Sequence, residues 1–349
     1  MLIRPSLSIC VCAVLLASRV AHADEPAESP PKADTTETTA AAVPVPAAIA
    51  VGTPTSVPGA DTPQDPPKVA SPLPPNEKKK RYTLPFAMRP AVAPNLVRID
   101  AAYAIHDKAT ATASTITGGY KPFDGTDLGF YARVGVVHNS VDAGKNAGGI
   151  GNPLLFALFT PEVAPKVRLG FFSGLTLPIG MGGGDVAKTD AVRAGVGGGI
   201  YARQAMDNAL FATNYMTPTV GASIAWIDKG FTLQAEATAL YLVRVRGESL
   251  DKEPARTNFT SGVHAGYLIA NLVNVGVEAH YQRWLSTPAA VQKDSSFRDQ
   301  MTVGGGARVN VPLTDSILAR PGIAYFHPVD DPMAKNGYRV VQIDVPVAF

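Results

Sequence analysis

The residues best suited to carry chemistry in this sequence are two histidines and a glutamate. His264, His280 and Glu278 fall on one face of two neighbouring predicted strands. Such a set could hold a metal ion, or act with Ser261 as a hydrolase. Ser261, however, has the opposite parity from His264 and would face the other side of the sheet. We therefore expect ordinary hydrogen bonding for both histidines and predict no catalytic residue, no metal site and no cofactor.

The sequence gives little support for phosphate binding, nucleic-acid binding or cysteine chemistry. The glycine-rich run at 195–199 lacks the Lys-Ser/Thr pair of a phosphate-binding loop. A formal net charge of +2 gives no basic footprint, so nucleic acid is not an expected partner. Both cysteines, Cys10 and Cys12, lie in the first 23 residues. If that segment is removed, the mature chain has neither a disulfide nor a thiolate ligand.

A larger set of polar residues recurs at every second position of the predicted strands. This period of two predicts that they share the inner face of a barrel. The predicted lumen lining is Arg98, Asp100, Arg133, Arg168, Gln234, Glu236, Arg244, Arg246, Glu278, His280, Gln282, Arg308, Gln342 and Asp344. Because both signs of charge occur, side chains can bridge a narrow bore, and a wide general porin is disfavoured. Arg244 and Arg246 either form a charged constriction or lie hydrated at the outer rim, near lipopolysaccharide phosphates.

The elements that carry these residues are long amphipathic strands. Along Phe231–Val245, odd positions are apolar or small and even positions are mostly polar, and Lys166–Ile179 and Leu272–Trp284 repeat the pattern. These runs are longer than the five or six residues usual in soluble sheets. No apolar run after residue 81 is long enough for a membrane helix.

The pattern predicts an all-β fold, a transmembrane antiparallel β-barrel of about twelve strands, because bacterial barrels need an even number. The predicted strands are Leu96–Ile105, Ala109–Thr117, Asp127–Val137, Gly151–Phe159, Lys166–Ile179, Tyr215–Ile227, Phe231–Val245, Asn258–Ile269, Leu272–Trp284, Gln300–Val311, Ile317–Phe326 and Arg339–Phe349. A soluble barrel would share the period. Strand length, loop asymmetry, the lack of mature cysteines and the terminal aromatic favour the membrane.

Connection lengths also indicate a membrane barrel with short inner turns and long outer loops. The longest predicted outer connection, Met181–Asn214, contains helix-capable stretches on both sides of its glycine run. It could fold into the mouth of the barrel or lie across it.

The two ends of the chain predict the route to the membrane. Residues 1–23 resemble a cleavable signal peptide, and residues 24–82 form a Pro/Ala/Thr-rich periplasmic linker expected to be disordered. Residues 83–349 form the barrel. The basic run Lys78–Arg81 is either a solvated charge run or a contact for anionic headgroups or cell-wall polymer. Phe349, on the apolar face of the last strand, is the predicted assembly signal for the barrel insertion machinery.

One stretch resembles a known family. Gly149-Ile-Gly-Asn-Pro-Leu-Leu-Phe-Ala-Leu-Phe159, followed by the strand Val167–Gly180, is similar to the Gly-x-Gly-Asp and Leu-Pro-Thr-Gly strand pair of an outer-membrane family associated with meta-pathway phenol degradation. Asn152 and Ile179 replace the usual Asp and Thr. The resemblance implies a transporter-like barrel for small, mostly apolar molecules and no catalytic motif.

We therefore expect an outer-membrane protein of a Gram-negative-type bacterium. Its partners would be outer-membrane lipids and lipopolysaccharide, the insertion machinery and, through the linker, cell-wall polymer. Two functions stay open: a narrow or gated channel for small solutes, or a non-conducting structural barrel that links envelope layers.

Overall fold

The computed structural model describes residues 82–106, 109–123, 125–141, 146–185, 190–249 and 251–349. The predicted signal peptide, the linker up to residue 81 and the basic run Lys78–Arg81 lie outside the described residues.

Twelve long antiparallel strands close into a barrel, as predicted. They are β1 (Leu96–His106), β2 (Ala109–Tyr120), β3 (Leu128–Val141), β4 (Leu154–Phe159), β5 (Val167–Thr176), β6 (Tyr215–Asp228), β7 (Phe231–Arg244), β8 (Ala255–Ile269), β9 (Val273–Trp284), β10 (Asp299–Val309), β11 (Gly322–Pro328) and β12 (Arg339–Ala348). Each strand pairs with its neighbours in sequence, and β12 pairs with β1, so that Leu96 lies opposite Ala348. The barrel has no free edge.

The strand boundaries differ most from the prediction at β11. The expected start at Ile317 is instead part of a small hairpin, in which Val311–Pro312 pairs with Leu318–Ala319. This hairpin continues onto the end of β12. Two other short strands, Ala147–Ile150 and Glu162–Ala164, extend the pairing of β3 and β5.

The two faces of the wall have opposite polarity, and the apolar face is outside. On β7, Thr232 and Gln234 are 0% and 1% exposed, whereas Leu233 and Tyr241 are 45% and 51% exposed. A soluble barrel would bury the apolar set. Lipid-facing apolar residues and lumen-facing polar residues define a transmembrane barrel.

Two of the inner connections are turns of only two and three residues. Lys229 and Gly230, between β6 and β7, both have positive φ, as do Ala270 and Asn271 between β8 and β9. Two-residue hairpin turns with positive φ match the twist of the strands they join, and glycine adopts that backbone without strain.

The outer connections are longer. The largest, residues 177–214, is called the long outer loop and carries α1 (Asp190–Gly197), α2 (Gly199–Ala202) and α3 (Asn208–Phe211). A fourth short helix, α4 (Ala289–Lys293), lies between β9 and β10. Within the described part of the chain, no helix is long and apolar enough to cross a membrane.

Residues 82–95, just before β1, lie inside the barrel, which the sequence did not predict. Residues 82–95, called the plug segment, contain neither helix nor strand. Thr83, Phe86 and Met88 in this segment are nevertheless only 1–2% exposed. Their burial arises from contacts with the lumen face of the wall.

Candidate functional site

The plug segment enters and leaves the lumen from the inner side. The backbone N–H of Thr83 donates to the hydroxyl of Thr232, the second residue of β7 from its inner end. The guanidinium of Arg89 lies 3.4 Å from the hydroxyl of Thr238, half way along the same strand. By Ala93 the chain has returned to the inner connection between β4 and β5. The segment is thus a loop inserted to mid-barrel depth.

Glu278 holds the N–H groups of this loop. Its carboxylate accepts from the backbone N–H of Phe86 and, at 3.1 Å, from that of Ala87. It also lies 3.2 Å from Nδ1 of His264, which is directly opposite in the β8–β9 ladder, and 2.8 Å from Nε2 of His280. A buried carboxylate needs several polar partners to offset its lost hydration, and here it has two backbone N–H donors and two histidine ring nitrogens.

The carbonyl groups of Leu84, Pro85 and Phe86 face the opposite wall. Arg98 and Arg308 each donate to the carbonyl of Pro85 at 3.2 Å and also to a neighbouring carbonyl. The amide of Gln342 donates to the carbonyl of Phe86 at 2.9 Å. Pro85 has no N–H, so its position leaves no donor without a partner.

Arg89 anchors the tip of the loop. Its guanidinium lies 2.7 Å from Glu236 and 3.9 Å from the ring centre of Phe172. The backbone N–H of Arg89 also donates to Glu236 at 3.2 Å, and its carbonyl accepts from Gln234 at 2.8 Å. The plug is therefore bound through both its main chain and one charged side chain.

A chain of alternating charges connects the wall beside the plug to the long outer loop. Its consecutive members are Arg308, Asp344, Arg98, Asp100, Arg203, Asp207 and Arg133. The contacts range from 2.6 to 3.5 Å, and Arg203, from the long outer loop, is 1% exposed. Every charge has an opposite neighbour, which offsets part of the cost of burial, although the set contains four arginines and three aspartates.

Gly322 makes room for the first link of that chain. It lies on β11 between Arg308 of β10 and Asp344 of β12, opposite both residues in the two ladders. A Cβ at this glycine would come within 2.2 Å of Cγ of Arg308 and 2.6 Å of the carbonyl of Ala307. The absence of a side chain lets the guanidinium reach across β11 to its carboxylate.

Asn152 fixes the base of the long outer loop. Its amide nitrogen donates to the carbonyls of Ala212 and Tyr215 at 2.8 and 3.2 Å, and its amide oxygen accepts from the N–H of Gly180 at 2.9 Å. A carboxylate cannot donate to carbonyls. An aspartate at this position could therefore not make the two contacts to Ala212 and Tyr215.

Two small cavities lie between the plug, the barrel wall and the long outer loop. A cavity of about 30 Å³ lies between the plug, Arg98 and Tyr131. Another of about 10 Å³ is lined by Ala87 and Arg89 of the plug and by Asp207 of the loop. Each is large enough for about one water. The bore is closed in this conformation where these two segments meet.

The structure places twelve of the fourteen predicted lining residues in the buried lumen. These are Arg98, Asp100, Arg133, Arg168, Gln234, Glu236, Glu278, His280, Gln282, Arg308, Gln342 and Asp344. Ser261 alternates with this inward face and points away from His264.

The other two arginines lie at the outer end of the barrel. Arg244 lies 3.1 Å from the exposed Glu248, and Arg246 donates to the carbonyl of Thr213 at 2.9 Å. Burial lowers the pKa of Arg246 from its ordinary value. The expected alternative of a rim position therefore describes these residues, and a constriction at Arg244 and Arg246 is not what the structure contains.

The outer loops are also joined at the rim. The hydroxyl and the backbone N–H of Ser249 donate to Asp185 of the long outer loop. These hydrogen bonds hold the pKa of Asp185 below its usual range.

Sequence reasoning missed the plug segment and the two charged residues of the long outer loop. A signal existed for both. Leu84, Phe86 and Met88 are bulky apolar residues that follow shortly after the basic run Lys78–Arg81, and bulky apolar side chains favour burial. Arg203 and Asp207 are four residues apart in a helix-capable stretch, a spacing at which opposite charges meet.

Comparisons with known proteins identify the fold alone. No family profile and no protein of curated function match the chain. An outer-membrane channel from Pseudomonas putida F1 superposes with a TM-score of 0.50 at 12% identity, covering 76% of this chain and 98% of that one. The NanC porin superposes with a TM-score of 0.42 at 6% identity, covering 72% of this chain and 98% of that one. The KdgM porin superposes with a TM-score of 0.41 at 9% identity, covering 72% of this chain and 99% of that one. The chain therefore has the fold of an outer-membrane β-barrel, and its resemblance to the phenol-degradation family stays a prediction.

Proposed function

We propose that this protein is a gated outer-membrane channel for small solutes, in which the plug segment is the gate. The observation that carries the proposal is a bore filled by a separate segment, bound through polar contacts and inserted from one side. Such a segment can be withdrawn toward the inner side without breaking any ladder of the barrel wall.

The alternative, a non-conducting structural barrel, would be served better by a lumen filled with the side chains of its own strands. Here the inward-facing side chains of the wall are small where the long outer loop enters the lumen. Ala102, Ala104, Ala111 and Ala113 face inward and are at most 6% exposed because the loop covers them. A wall with small residues leaves a passage once the segments that cover it move.

The resemblance at residues 149–180 supports small, mostly apolar solutes. Beside the plug, Tyr131 and Phe156 stack with ring centres 5.0 Å apart, and Phe172 lies under Arg89. These rings offer an apolar strip along one wall of the passage. The proposed location is the outer membrane of a Gram-negative-type bacterium, with outer-membrane lipids and lipopolysaccharide around the barrel and the linker reaching toward the cell wall.

A reversible lock on the plug tests the gate. A Cβ placed on Gly262 would lie 3.1 Å from Cγ of Met88, so Met88→Cys with Gly262→Cys brings two sulfurs within reach of a disulfide. The pair would be made in a plug loosened by Arg89→Ala and measured in planar bilayers. We expect conductance under reducing conditions and its loss after oxidation. No conductance in either state, from protein that still shifts in mobility on boiling, would favour the structural barrel.

A further inference from the structure

We propose that the inner half of the lumen is a binding groove for short peptides, and that the plug segment is its resident ligand. The proposal rests on the gated channel, and it replaces the mostly apolar solutes that the resemblance implies with peptides. It follows from what the wall contacts, which is mostly peptide backbone.

The wall contacts both kinds of backbone group. Carboxylates of Glu236 and Glu278 accept from N–H groups, while Arg98, Arg308 and Gln342 donate to carbonyls. The acceptors are on β7 and β9, and most of the donors are on β1, β10 and β12, while Gln234 of β7 donates to the carbonyl of Arg89. An extended peptide carries N–H and C=O groups along its whole length, so a lumen that offers both acceptors and donors suits a peptide of varied sequence.

An empty groove would take the backbone partners of the plug away from these groups, so that Glu278 would keep only His264 and His280, and Arg308 only Asp344. Glu278, Gln342 and Arg308 are at most 3% exposed. Buried charged and amide groups need replacement hydrogen bonds when one ligand leaves. A hydrocarbon supplies none, whereas a second peptide supplies them at the same spacing. The groove therefore favours amide-bearing solutes over purely apolar ones.

Side-chain contacts restrict the peptide further. The guanidinium of Arg308 lies 3.6 Å from the ring centre of Phe86, which favours an aromatic residue there. Three positions later, Arg89 fits between Glu236 and the ring of Phe172. The preferred ligand is thus a peptide with an aromatic residue followed at the third position by a basic one.

The full chain with Met88→Cys reports plug release through the rate of maleimide labelling of that thiol. The probe is a capped synthetic peptide with the sequence of residues 83–90, at millimolar concentration because a tethered segment competes at a similar effective concentration. Its matched control carries N-methyl groups at Phe86 and Ala87, which remove the two donors to Glu278 while keeping every side chain. Toluene serves as the apolar competitor.

We expect the unmodified peptide to raise the labelling rate about tenfold, corresponding to a shift of about 1.4 kcal/mol, and the methylated peptide and toluene to have little effect. Equal effects of the two peptides, or a larger effect of toluene, would overturn main-chain recognition. If the parent plug is released too slowly to measure, the two peptides and toluene are compared in a chain that also carries Arg89→Ala. No effect of the unmodified peptide in that chain would also overturn main-chain recognition.

Conductance measured on the same variants separates the two proposals. Conductance that the unmodified peptide does not block would reject the peptide groove and leave the channel standing. Labelling that rises with peptide, in a barrel that never conducts, would support the groove and reject the channel.

Discussion

The contact between Arg89 and Glu236 gives the sharpest test of the plug. Replacing Arg89 by Ala removes a charge-assisted hydrogen bond of 2.7 Å and the stacking on Phe172 at 3.9 Å. It leaves Glu236, whose side chain is 1% exposed, with only a backbone donor from the plug. The variant should therefore spend more time with the plug released.

The magnitude follows from burial. Breaking a buried ion pair by removing one partner costs about 3–5 kcal/mol. The Arg89 side chain is 17% exposed, so water screens the pair in part and the lower end applies. A cost of about 3 kcal/mol raises the population of the released plug roughly 150-fold.

Labelling of Met88→Cys measures that population, because a thiol at this buried position reacts only after release. The variants to compare are the parent, Arg89→Ala, Glu236→Gln and the double variant. Since the two side chains act on each other, the double variant should release the plug less than the two single effects combined predict. An exposed pair, Arg283 and Asp299, provides the control: Arg283→Ala should change labelling by no more than about fivefold.

Two results would refute this reasoning. Labelling of Arg89→Ala at the parent rate would show that the pair does not hold the plug. Strictly additive single effects would show that Arg89 and Glu236 act independently, in spite of their distance.

Four further predictions test other parts of the structure. Gly322→Ala should lower thermal stability by about 1–3 kcal/mol, because a Cβ there overpacks the site, and Gly118→Ala, with open space around it, is the control; equal melting temperatures would contradict this. Asn152→Asp should speed hydrogen exchange at the amide of Gly180, since two donor contacts are lost, and unchanged exchange would show that the long outer loop is held elsewhere. Deletion of Phe349 should lower the yield of heat-modifiable barrel while secretion continues, and equal yields would remove its role as assembly signal. Limited proteolysis should stop just before Thr83 and not at β1, because the plug is docked; cleavage between Thr83 and Asn95 would show that it is not.

The barrel could be predicted because its signal is local. Parity within a strand assigns each residue to one of two faces, and the alternation on β7 between Thr232 and Leu233 is enough to read it. The same parity assigned His264, His280 and Glu278 to one face and Ser261 to the other. No contact between distant parts of the chain is needed for either inference.

Depth along the barrel axis is not carried by parity. Glu236 and Arg244 share a strand and a face, yet Glu236 contacts the plug while Arg244 lies among the outer loops. Only the register of the strands and the positions of the loops separate the two. Parity could therefore not decide between a constriction and a rim position for Arg244 and Arg246, which the structure places at the outer rim.

The plug was missed for a different physical reason. Its partners are far away in sequence: Phe86 and Glu278 are separated by 192 positions. Pro85, Pro90 and Pro94 continue the composition of the preceding linker, and proline in a chain without period predicts an extended tether. An extended segment without internal hydrogen bonds can also insert into a groove that supplies hydrogen-bond partners. The same local composition therefore fits a free tether and a segment bound in the lumen.

The closed state depends on carboxylates shared between two moving parts. Arg98 donates to the plug and contacts Asp344 and Asp100, while Asp100 also holds Arg203 of the long outer loop. Release of the plug removes carbonyl partners from Arg98 and leaves it free to bind these two carboxylates more closely. That would strengthen the wall side of the charge chain without freeing Arg203. Withdrawal of the plug therefore opens the inner half of the bore while Arg203 of the long outer loop stays bound to Asp100.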